Sequence, residues 1–315
     1  HLEKRTAARV TLVGTDQGIS AVLSSSEDDE ASATILGSLE AEIESVDTLF
    51  LAGPPANSKR ALEIWQESER KPLIIDLTGA LEGEPAARLG IPGQTCSRSE
   101  ICVVPHPAAL IVWKLITAVK ARYEIQQCVI HVIEPASERG NEGIKELQQQ
   151  TAGLLNFRAL DKRVFDAQLA FAVLPRYGTE APTKLEDVEH RIDRHLATLF
   201  GKPPLPSLRL IQAPVFHGYS LSFWMNLGVH PEIDHVSYEL SRAGIDVYPP
   251  TLEPPTNVGA TGQAGISVGV LEVDRNNANA CWIWAVADNL RLVVEHALLF
   301  AGEHPDPDDD FEEAA

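Results

Sequence analysis

Thiols are the side chains in this sequence best suited to nucleophilic chemistry. The chain has four of them, Cys96, Cys102, Cys128 and Cys281. No two form a Cys-x-x-Cys pair, the spacing typical of zinc sites and redox couples. Few and widely spaced cysteines favour a reducing, cytoplasmic location. Because Cys102 lies in a predicted strand, we interpret it as a small, buried apolar thiol.

Histidines are the other candidates for metal binding or proton transfer. We considered His131, His190, His195 and His235. None stands at metal-binding spacing from nearby carboxylates, so we interpret them as surface or hydrogen-bonded histidines. We therefore expect no metal site.

A strand that runs into glycine, Val10-Thr-Leu-Val-Gly14, resembles the opening of a dinucleotide-binding fold. In such folds a glycine turn and the following helix N-terminus hold a pyrophosphate, which makes Gly14 a candidate cofactor-binding residue. Only four residues separate Gly14 from the next predicted strand at Ile19. Because a crossover between parallel strands needs at least about 10 to 12 residues, we expect either a missing segment here or a differently built sheet edge. The alternative is a plain turn at the end of a strand.

The charge balance excludes several classes of partner. The sequence has 26 Lys and Arg against 45 Asp and Glu, a formal net charge of −19. Such a surface repels nucleic acid and anionic lipid headgroups. No apolar run approaches the roughly 20 residues that span a bilayer. We expect a soluble globular protein that binds neither nucleic acid nor membrane.

The first half alternates short apolar runs with helical patterns, which is typical of a parallel sheet covered by helices on both faces. The predicted strands are 10–13, 19–23, 48–51, 73–77 and 101–104. A helix over 57–68 has Asn57 as its predicted cap, and a second helix covers 107–122. This half predicts a doubly wound α/β domain.

The second half has longer, alternating strands, which predict a mixed or antiparallel sheet with one covered face. The predicted strands are 129–133, 169–174, 208–213, 215–227, 267–273 and 281–285. The predicted helices are 142–155, 185–200, 232–243 and 288–301, and 251–265 is a predicted loop. An acidic tail over 304–315 is expected to be solvated.

Several segments spread along the chain together resemble the aspartate-semialdehyde dehydrogenase family. They are 74–81, 101–108, 143–151, 213–220 and 285–291. The resemblance implies a Rossmann-type, doubly wound dinucleotide-binding domain over 1–123 with 286–303. It also implies an α+β dimerisation domain over 124–285, whose sheet makes the contact in a homodimer.

In that family a thiolate at a helix N-terminus attacks the aldehyde, hydride passes to NADP, and phosphate releases the acyl group. The helix N-terminus lowers the pKa of the thiol because its unpaired N–H groups favour an anion. The family pattern Asn-Pro-Asn-Cys-Ser corresponds here to Val104-Pro-His-Pro-Ala108. The nucleophile position is therefore Pro107, which suits the first turn of a helix but has no nucleophile.

The other catalytic positions of the family have changed as well. By the resemblance, Glu134 replaces the glutamine that orients the acyl intermediate, and Gln212 replaces the substrate-binding arginine. Tyr219 replaces the general acid/base histidine, and Glu82 replaces the phosphate-binding arginine. Asn289 matches a family residue near the nicotinamide, or it caps the last helix.

The sequence is identified as a member of this family, closest to its non-catalytic Usg-like branch, which shares the fold without the cysteine. We expect a catalytically silent homodimer with no cofactor, or with NADP if any, and the sequence specifies no small-molecule ligand. The alternative is an active NADP-dependent aspartate-semialdehyde dehydrogenase of amino-acid biosynthesis.

Overall fold

The computed structural model describes residues 13–14, 37–201 and 205–302. The chain divides into two compact units, a first unit of residues 1–105 with 294–315 and a second unit of residues 106–293. The boundaries predicted from the sequence, at 123/124 and 285/286, stay a prediction. The predicted strand 19–23 and the acidic tail 304–315 lie outside the described residues.

The first unit is built on parallel strands. Its elements are β1 (Val13–Gly14), β2 (Gly37–Ser38), α1 (Leu39–Glu42), β3 (Thr48–Leu51), α2 (Pro55–Glu67), β4 (Leu73–Asp76), β5 (Ala87–Leu89) and β6 (Ile101–Val103). One parallel sheet has the strand order β3-β4-β6-β5, and β1 and β2 form a separate parallel pair. All residues of β4 and β6 are buried, as expected for central strands covered on both faces.

Three details of the first unit differ from the sequence-based predictions. The parallel partner of β1 is β2 and not the predicted strand 19–23. The 22 residues between β1 and β2 are enough for a crossover between parallel strands, so this pair needs no missing segment after Gly14. Helix α2 begins at Pro55 and not at Asn57, because Pro55 occupies the first turn and Pro54 stands at the cap without a side-chain hydrogen bond. Strand β5 was not predicted, since its three residues are only partly buried and include an arginine.

The second unit is built on one mixed sheet. Its elements are α3 (Pro107–Lys120), β7 (Gln127–Glu134), a 3₁₀ turn (Ala136–Arg139), α4 (Gly140–Leu155), α5 (Leu185–Phe200), β8 (Ser207–Gln212), β9 (Tyr219–Asn226), α6 (Ile233–Arg242), β10 (Asp246–Val247), α7 (Asn257–Ala260), β11 (Ser267–Val273), β12 (Ala280–Ala287) and the beginning of α8 (Asn289–Phe300). The strand order is β10-β11-β12-β9-β7-β8. The two outer pairs are parallel and the inner pairs antiparallel.

The two faces of this sheet differ in burial. Along one face Ile130, Phe223 and Ile283 lie side by side and are buried. On the other face the register aligns Val129, Trp224 and Trp282, all partly or fully exposed. The alternation along β7 and β9 therefore follows the predicted pattern of one covered face.

Two predicted strands of the second unit are wrong or too long. Residues 169–174 are not a strand, because Phe171 has a positive φ of 62° and the backbone N–H groups of Leu169 and Ala170 donate to the Gln150 side chain. The predicted strand 215–227 begins only at Tyr219. Gly218 has a φ of +79°, and a Cβ there would lie 2.6 Å from the Asn257 carbonyl oxygen, so the chain bends at this point.

None of the helices in the described ranges 39–201 and 205–302 is both long and apolar enough to cross a membrane. The most apolar of them, α3, has 14 residues, and its buried side chains surround most of the helix. A helix of this kind belongs to the interior of the second unit. Helices α5 and α6 both pack against it.

Candidate functional site

The N-terminus of α3 holds the position that the family resemblance assigns to a nucleophile. Pro107 is buried in the first turn, and His106 caps the helix by accepting a hydrogen bond from the Ala108 N–H through Nδ1 at 3.3 Å. The His106 backbone N–H donates to Nδ1 of His195 at 2.9 Å. Burial, helped by nearby Arg191, holds the pKa of His106 well below its usual value, so its ring is neutral. This helix start therefore presents neutral, buried groups and no nucleophile.

Glu134 ends β7 and is fully buried. Its Oε1 accepts a hydrogen bond from Arg139. Its Oε2 accepts one from the Tyr219 hydroxyl at 3.3 Å. A buried carboxylate needs such partners, because its desolvation is otherwise costly. The side chain is thus held by two donors on other segments of the second unit.

Gln212 and Tyr177 complete the same network. The Tyr177 hydroxyl donates to Gln212 Oε1 at 2.6 Å, accepts from Arg139 Nε at 3.2 Å and lies 3.4 Å from Glu134 Oε1. The Gln212 amide donates to the carbonyl oxygens of Glu134 and Ala213 at 2.9 and 3.0 Å. The amide of Gln212 is therefore fully used in bonds to this protein's own groups.

Tyr219 lies at the first position of β9 and is fully buried. Its ring packs edge-on against the His106 ring, with centroids 6.1 Å apart. Burial and the carboxylates of Glu134 and Glu138 hold the pKa of Tyr219 well above its ordinary value of 10.0. A phenol that keeps its proton at neutral pH is a poor general base.

Glu138 and Asn289 form the edge of this cluster. The Asn289 amide donates to Glu138 Oε1 at 2.7 Å and to Ser137 Oγ at 3.2 Å. His106 Nε2 lies 3.7 Å from Glu138 Oε2. Burial, followed by the charge of Glu134, raises the pKa of Glu138 to about 7. Asn289 does not cap α8, because Asp288 Oδ1 accepts the capping hydrogen bond from the Arg291 N–H at 2.7 Å.

The remaining two predicted positions, Glu82 and Gly14, belong to the first unit. Glu82 lies in the turn after β4 and is partly buried. Gly14 is the last residue of β1 and pairs with Ser38, while residues 15–36 lie outside the described part of the chain. The structure therefore brings together Glu134, Gln212 and Tyr219, with His106 beside them.

The cysteines behave differently from the sequence-based interpretation. Cys102 is buried, as predicted, but it is bonded to Cys96 in a disulfide and is not a free thiol. The segment between β5 and β6 brings Cys96 to Cys102 of β6, with their Cα atoms 6.4 Å apart. The few and widely spaced cysteines gave no sign of this pair in the sequence, and a reducing, cytoplasmic location stays a prediction. Burial raises the pKa of both Cys128 and Cys281 to about 12.

The described histidines and acidic residues offer no metal centre. In the parts of the chain that the structure describes, no group of three or more His, Cys, Asp or Glu side chains could hold a metal ion. His131, His190 and His235 are exposed, and His195 is buried as the acceptor for the His106 N–H.

The residues that sequence reasoning missed are those that close the network, Glu138, Arg139 and Tyr177. Arg139 follows Glu134 by five residues, but Tyr177 comes from a distant loop. Neither carries a local signal for this role, because only the fold brings them to the end of β7. Chemically, the arrangement is a set of mutually satisfied donors and acceptors around one ion pair.

Comparison with known proteins gives the family. A family model of the semialdehyde dehydrogenase dimerisation domain matches residues 116–292. The chain is 31% identical to a USG-1 protein homolog of Pseudomonas aeruginosa, over 73% of this chain and 70% of that protein. It is 26% identical to the aspartate-semialdehyde dehydrogenase of Shewanella sp. strain DB6705, over 56% of this chain and 54% of that enzyme.

Solved structures show the same fold. A probable aspartate-semialdehyde dehydrogenase from Pseudomonas aeruginosa matches with a TM-score of 0.76 at 27% identity, covering 94% of this chain and 89% of that one. The Candida albicans aspartate-semialdehyde dehydrogenase with NADP matches with a TM-score of 0.63 at 11% identity, covering 94% and 90%. The chain therefore belongs to the semialdehyde dehydrogenase family.

Proposed function

We propose that this protein is a non-catalytic member of the semialdehyde dehydrogenase family. The observation that carries the proposal is Pro107, a buried proline at the first position of α3, where the resemblance places the nucleophilic cysteine. Without a thiolate there is no covalent acyl intermediate, and the family reaction has no route.

No described cysteine is suited to replace the lost nucleophile. Cys96 and Cys102 are joined in a disulfide, and they lie in the first unit. Cys128 and Cys281 are buried on β7 and β12, and their raised pKa keeps both protonated near neutral pH. The thiolate is the reactive form, so these side chains are inert.

The other family positions support the same conclusion. Glu134, Gln212 and Tyr219 are fully buried. Tyr219 and Gln212 both donate hydrogen bonds to Glu134, and Gln212 also accepts one from Tyr177, so a substrate would first have to break these bonds. Arg139, one of the cations near this cluster, is already engaged by Glu134 and Tyr177. We infer that the residues at the former catalytic positions stabilise the second unit.

The test is an assay of phosphate- and NADP-dependent oxidation of aspartate semialdehyde. We expect no NADPH above the buffer rate from the folded wild type. We also expect none from Pro107→Cys, because the orienting, basic and anion-binding groups act as a unit and their effects are not additive. Pro107→Ala is the matched control, since it removes the ring without adding a thiol. Wild-type activity that alkylation of cysteine abolishes would support the alternative of a working dehydrogenase.

We further propose that the protein is a homodimer held by the less buried face of the mixed sheet. Val129 is 39% exposed, and Trp224, Trp282 and Trp284 are partly exposed on the same face. Tryptophan-rich apolar surface of this kind is typical of protein interfaces. The matched family model, a dimerisation domain, covers all strands of this sheet.

Val129→Arg tests the dimer proposal, because it places a charge beside Trp224 on this face. We expect the wild type to sediment as a dimer and Val129→Arg as a monomer at micromolar concentration. Tyr238→Arg, at a residue of α6 that is 61% exposed, is the control and should remain dimeric. A wild type that is monomeric, or dimerisation that is unchanged in Val129→Arg, would contradict the proposed interface.

We expect NADP binding to be weak or absent. The expectation rests on the sequence around Gly14, where no third glycine follows. A ligand at 100 times its dissociation constant stabilises a fold by about 2.7 kcal/mol. Thermal melts with and without millimolar NADP therefore measure the affinity, and a clear upward shift would show that the cofactor still binds.

A further inference from the structure

The less buried face of the mixed sheet has a regular arrangement across its strands. The register places Val129 of β7, Trp224 of β9, Trp282 of β12 and Glu272 of β11 side by side. Ser207 of β8 pairs with Val129 and completes this row. Because directly paired residues share a face, all five side chains belong to the face that we propose as the dimer contact. Strand β9 is the middle one of these five strands.

The β8 side of this face is basic. Arg209 of β8 lies two residues beyond Ser207 and pairs with His131 of β7, so both share the face of Val129. The Arg209 side chain is 61% exposed, although its Nε lies 3.8 Å from Oε2 of Glu189. Among the residues of 127–133 and 207–211 that share this face, none is acidic. This side of the face therefore has a positive charge from Arg209.

The opposite side of the face, at β11, is acidic. Glu272 is exposed and pairs with Trp282. Asp274 follows β11, and its Oδ2 accepts hydrogen bonds from the indole N–H groups of Trp224 and Trp282 at 3.1 and 2.6 Å, so this carboxylate lies beside the same two tryptophans. The face thus has a positive side and a negative side, with the tryptophans between them.

Two simple face-to-face arrangements of identical sheets have a twofold axis between the sheets. If the axis runs across the strands, β8 of one protomer lies over β8 of its partner, and Arg209 faces Arg209 of the partner subunit. If the axis runs along the strands, β8 of one protomer lies over β11 of its partner, and Arg209 faces the acidic side. Every contact of such an isologous interface forms twice. Like charges opposite each other are unfavourable, and complementary charges fix the orientation.

We propose that the two protomers pack face to face with β8 of one over β11 of the other, so that Arg209 of each protomer faces Glu272 of the partner subunit. The inference rests on the proposed dimer and adds the orientation of its two copies. The offset between Arg209 and the row of Glu272 is two residues, about 6.6 Å along a strand, which two long side chains can span together.

The net charge of the chain favours this orientation. Each protomer has a formal net charge of −19, so association brings two acidic surfaces together. Placing the cation of each face against the acidic side of the other reduces this repulsion. The reverse orientation would place Glu272 near Glu272 of the partner subunit and increase it.

The first experiment measures the dimer dissociation constant of charge-reversal variants by analytical ultracentrifugation. We expect Arg209→Glu and Glu272→Arg each to raise the constant by about tenfold, because an attractive pair becomes a repulsive one at two places in the dimer. The double variant, Arg209→Glu with Glu272→Arg, restores the attraction and should dimerise like the wild type.

The matched controls make the same two changes of charge away from this face. Lys59→Glu changes an exposed residue of α2 in the first unit, and Asp234→Arg changes an exposed residue of α6. Both should keep the wild-type dissociation constant. A double variant that dimerises no more tightly than the single ones would overturn the orientation, while the dimer itself is tested separately by Val129→Arg. A monomeric wild type would contradict both proposals.

The second experiment tests the orientation by cross-linking. A chain with both Arg209→Cys and Glu272→Cys should form covalent dimers with a bismaleimide that spans about 10 Å, the spacing of packed sheets. Neither single variant should do so, because its new thiol faces none in the partner. The native cysteines are buried or disulfide-bonded, so the background is low. Covalent dimers of the Arg209→Cys variant alone would place β8 over β8 and overturn the inference.

Discussion

Two buried carboxylates each end a β-strand, one in each unit, and their hydrogen-bond partners differ in kind. Asp76 ends β4 and Glu134 ends β7, and neither is exposed. Asp76 accepts hydrogen bonds from Thr78 N and Oγ1, Gly79 N and Leu81 N at 2.6–3.2 Å. Glu134 accepts from the side chains of Arg139 and Tyr219.

The two carboxylates differ in how far along the chain their hydrogen-bond donors lie. Every donor to Asp76 lies within five residues of it and is neutral, so the turn after β4 forms its own polar partner set. Tyr219 lies 85 residues from Glu134, and Arg139 brings a charge of its own. A site made of local backbone donors needs only the turn to fold, whereas the Glu134 site needs the whole second unit.

Glu134→Gln should be the most destabilising change, because it leaves the guanidinium of Arg139, which is only 14% exposed, without its carboxylate. Removing one partner of a buried ion pair costs about 3–5 kcal/mol. Urea unfolding at pH 7 measures the loss. The exposed pair of Arg176 and Glu186, 3.1 Å apart, is the control, and Glu186→Gln should cost less than about 1 kcal/mol. A loss equally small for Glu134→Gln would remove the distinction between the two carboxylates.

Asp76→Asn should cost less, because no buried cation is left behind. The amide keeps one oxygen for the donors of the turn, and the Leu81 N–H loses its acceptor if the amide nitrogen takes the place of Oδ2. Hydrogen bonds to a charged group contribute about 1.5–3 kcal/mol, and we expect a loss in that range. Urea unfolding under the same conditions gives the value. A cost above that of Glu134→Gln would reverse the comparison.

The same contrast explains which parts of the molecule the sequence predicts. Period and composition give the strands 48–51 and 267–273 and the helix 185–200 with the bounds that the structure shows. Period and composition fail for residues 169–174, whose apolar run predicts a strand. The segment is not a strand, because the Leu169 N–H donates to the Gln150 side chain and Phe171 has a positive φ. Local patterns contain no information about a glutamine some twenty residues earlier in the chain.

The candidate site shows the same limit. The family resemblance selects Glu134, Gln212 and Tyr219, and the fold brings these three together. The resemblance does not predict which groups donate hydrogen bonds to these three residues, since Arg139 and Tyr177 are not among the family positions that it assigns. Nor does it predict that Cys96 reaches Cys102, because that contact depends on the path of the loop before β6.

Tyr177→Phe tests the long-range network while leaving both charged members of its ion pair, Arg139 and Glu134, in place. The change removes the hydroxyl that donates to Gln212 Oε1 at 2.6 Å and accepts from Arg139 Nε at 3.2 Å. Two buried polar groups then lose a partner, but the ring still packs against Phe165. We expect a loss of about 2 kcal/mol. Combining it with Glu134→Gln should give less than the sum, because both changes act on one network.

Tyr219→Phe should have the smallest effect. The hydroxyl makes one hydrogen bond, to Glu134 Oε2, and its 3.3 Å length is longer than that of an ordinary O–H···O bond. The phenyl ring keeps the edge contact with His106, so packing is unchanged. We expect a loss of about 1 kcal/mol by urea unfolding, smaller than that of Tyr177→Phe. A larger loss would mean that Tyr219 is the main neutral donor to Glu134. Tyr219, at the position that the family resemblance assigns to a histidine, would then contribute more to the stability of the network than Tyr177 does.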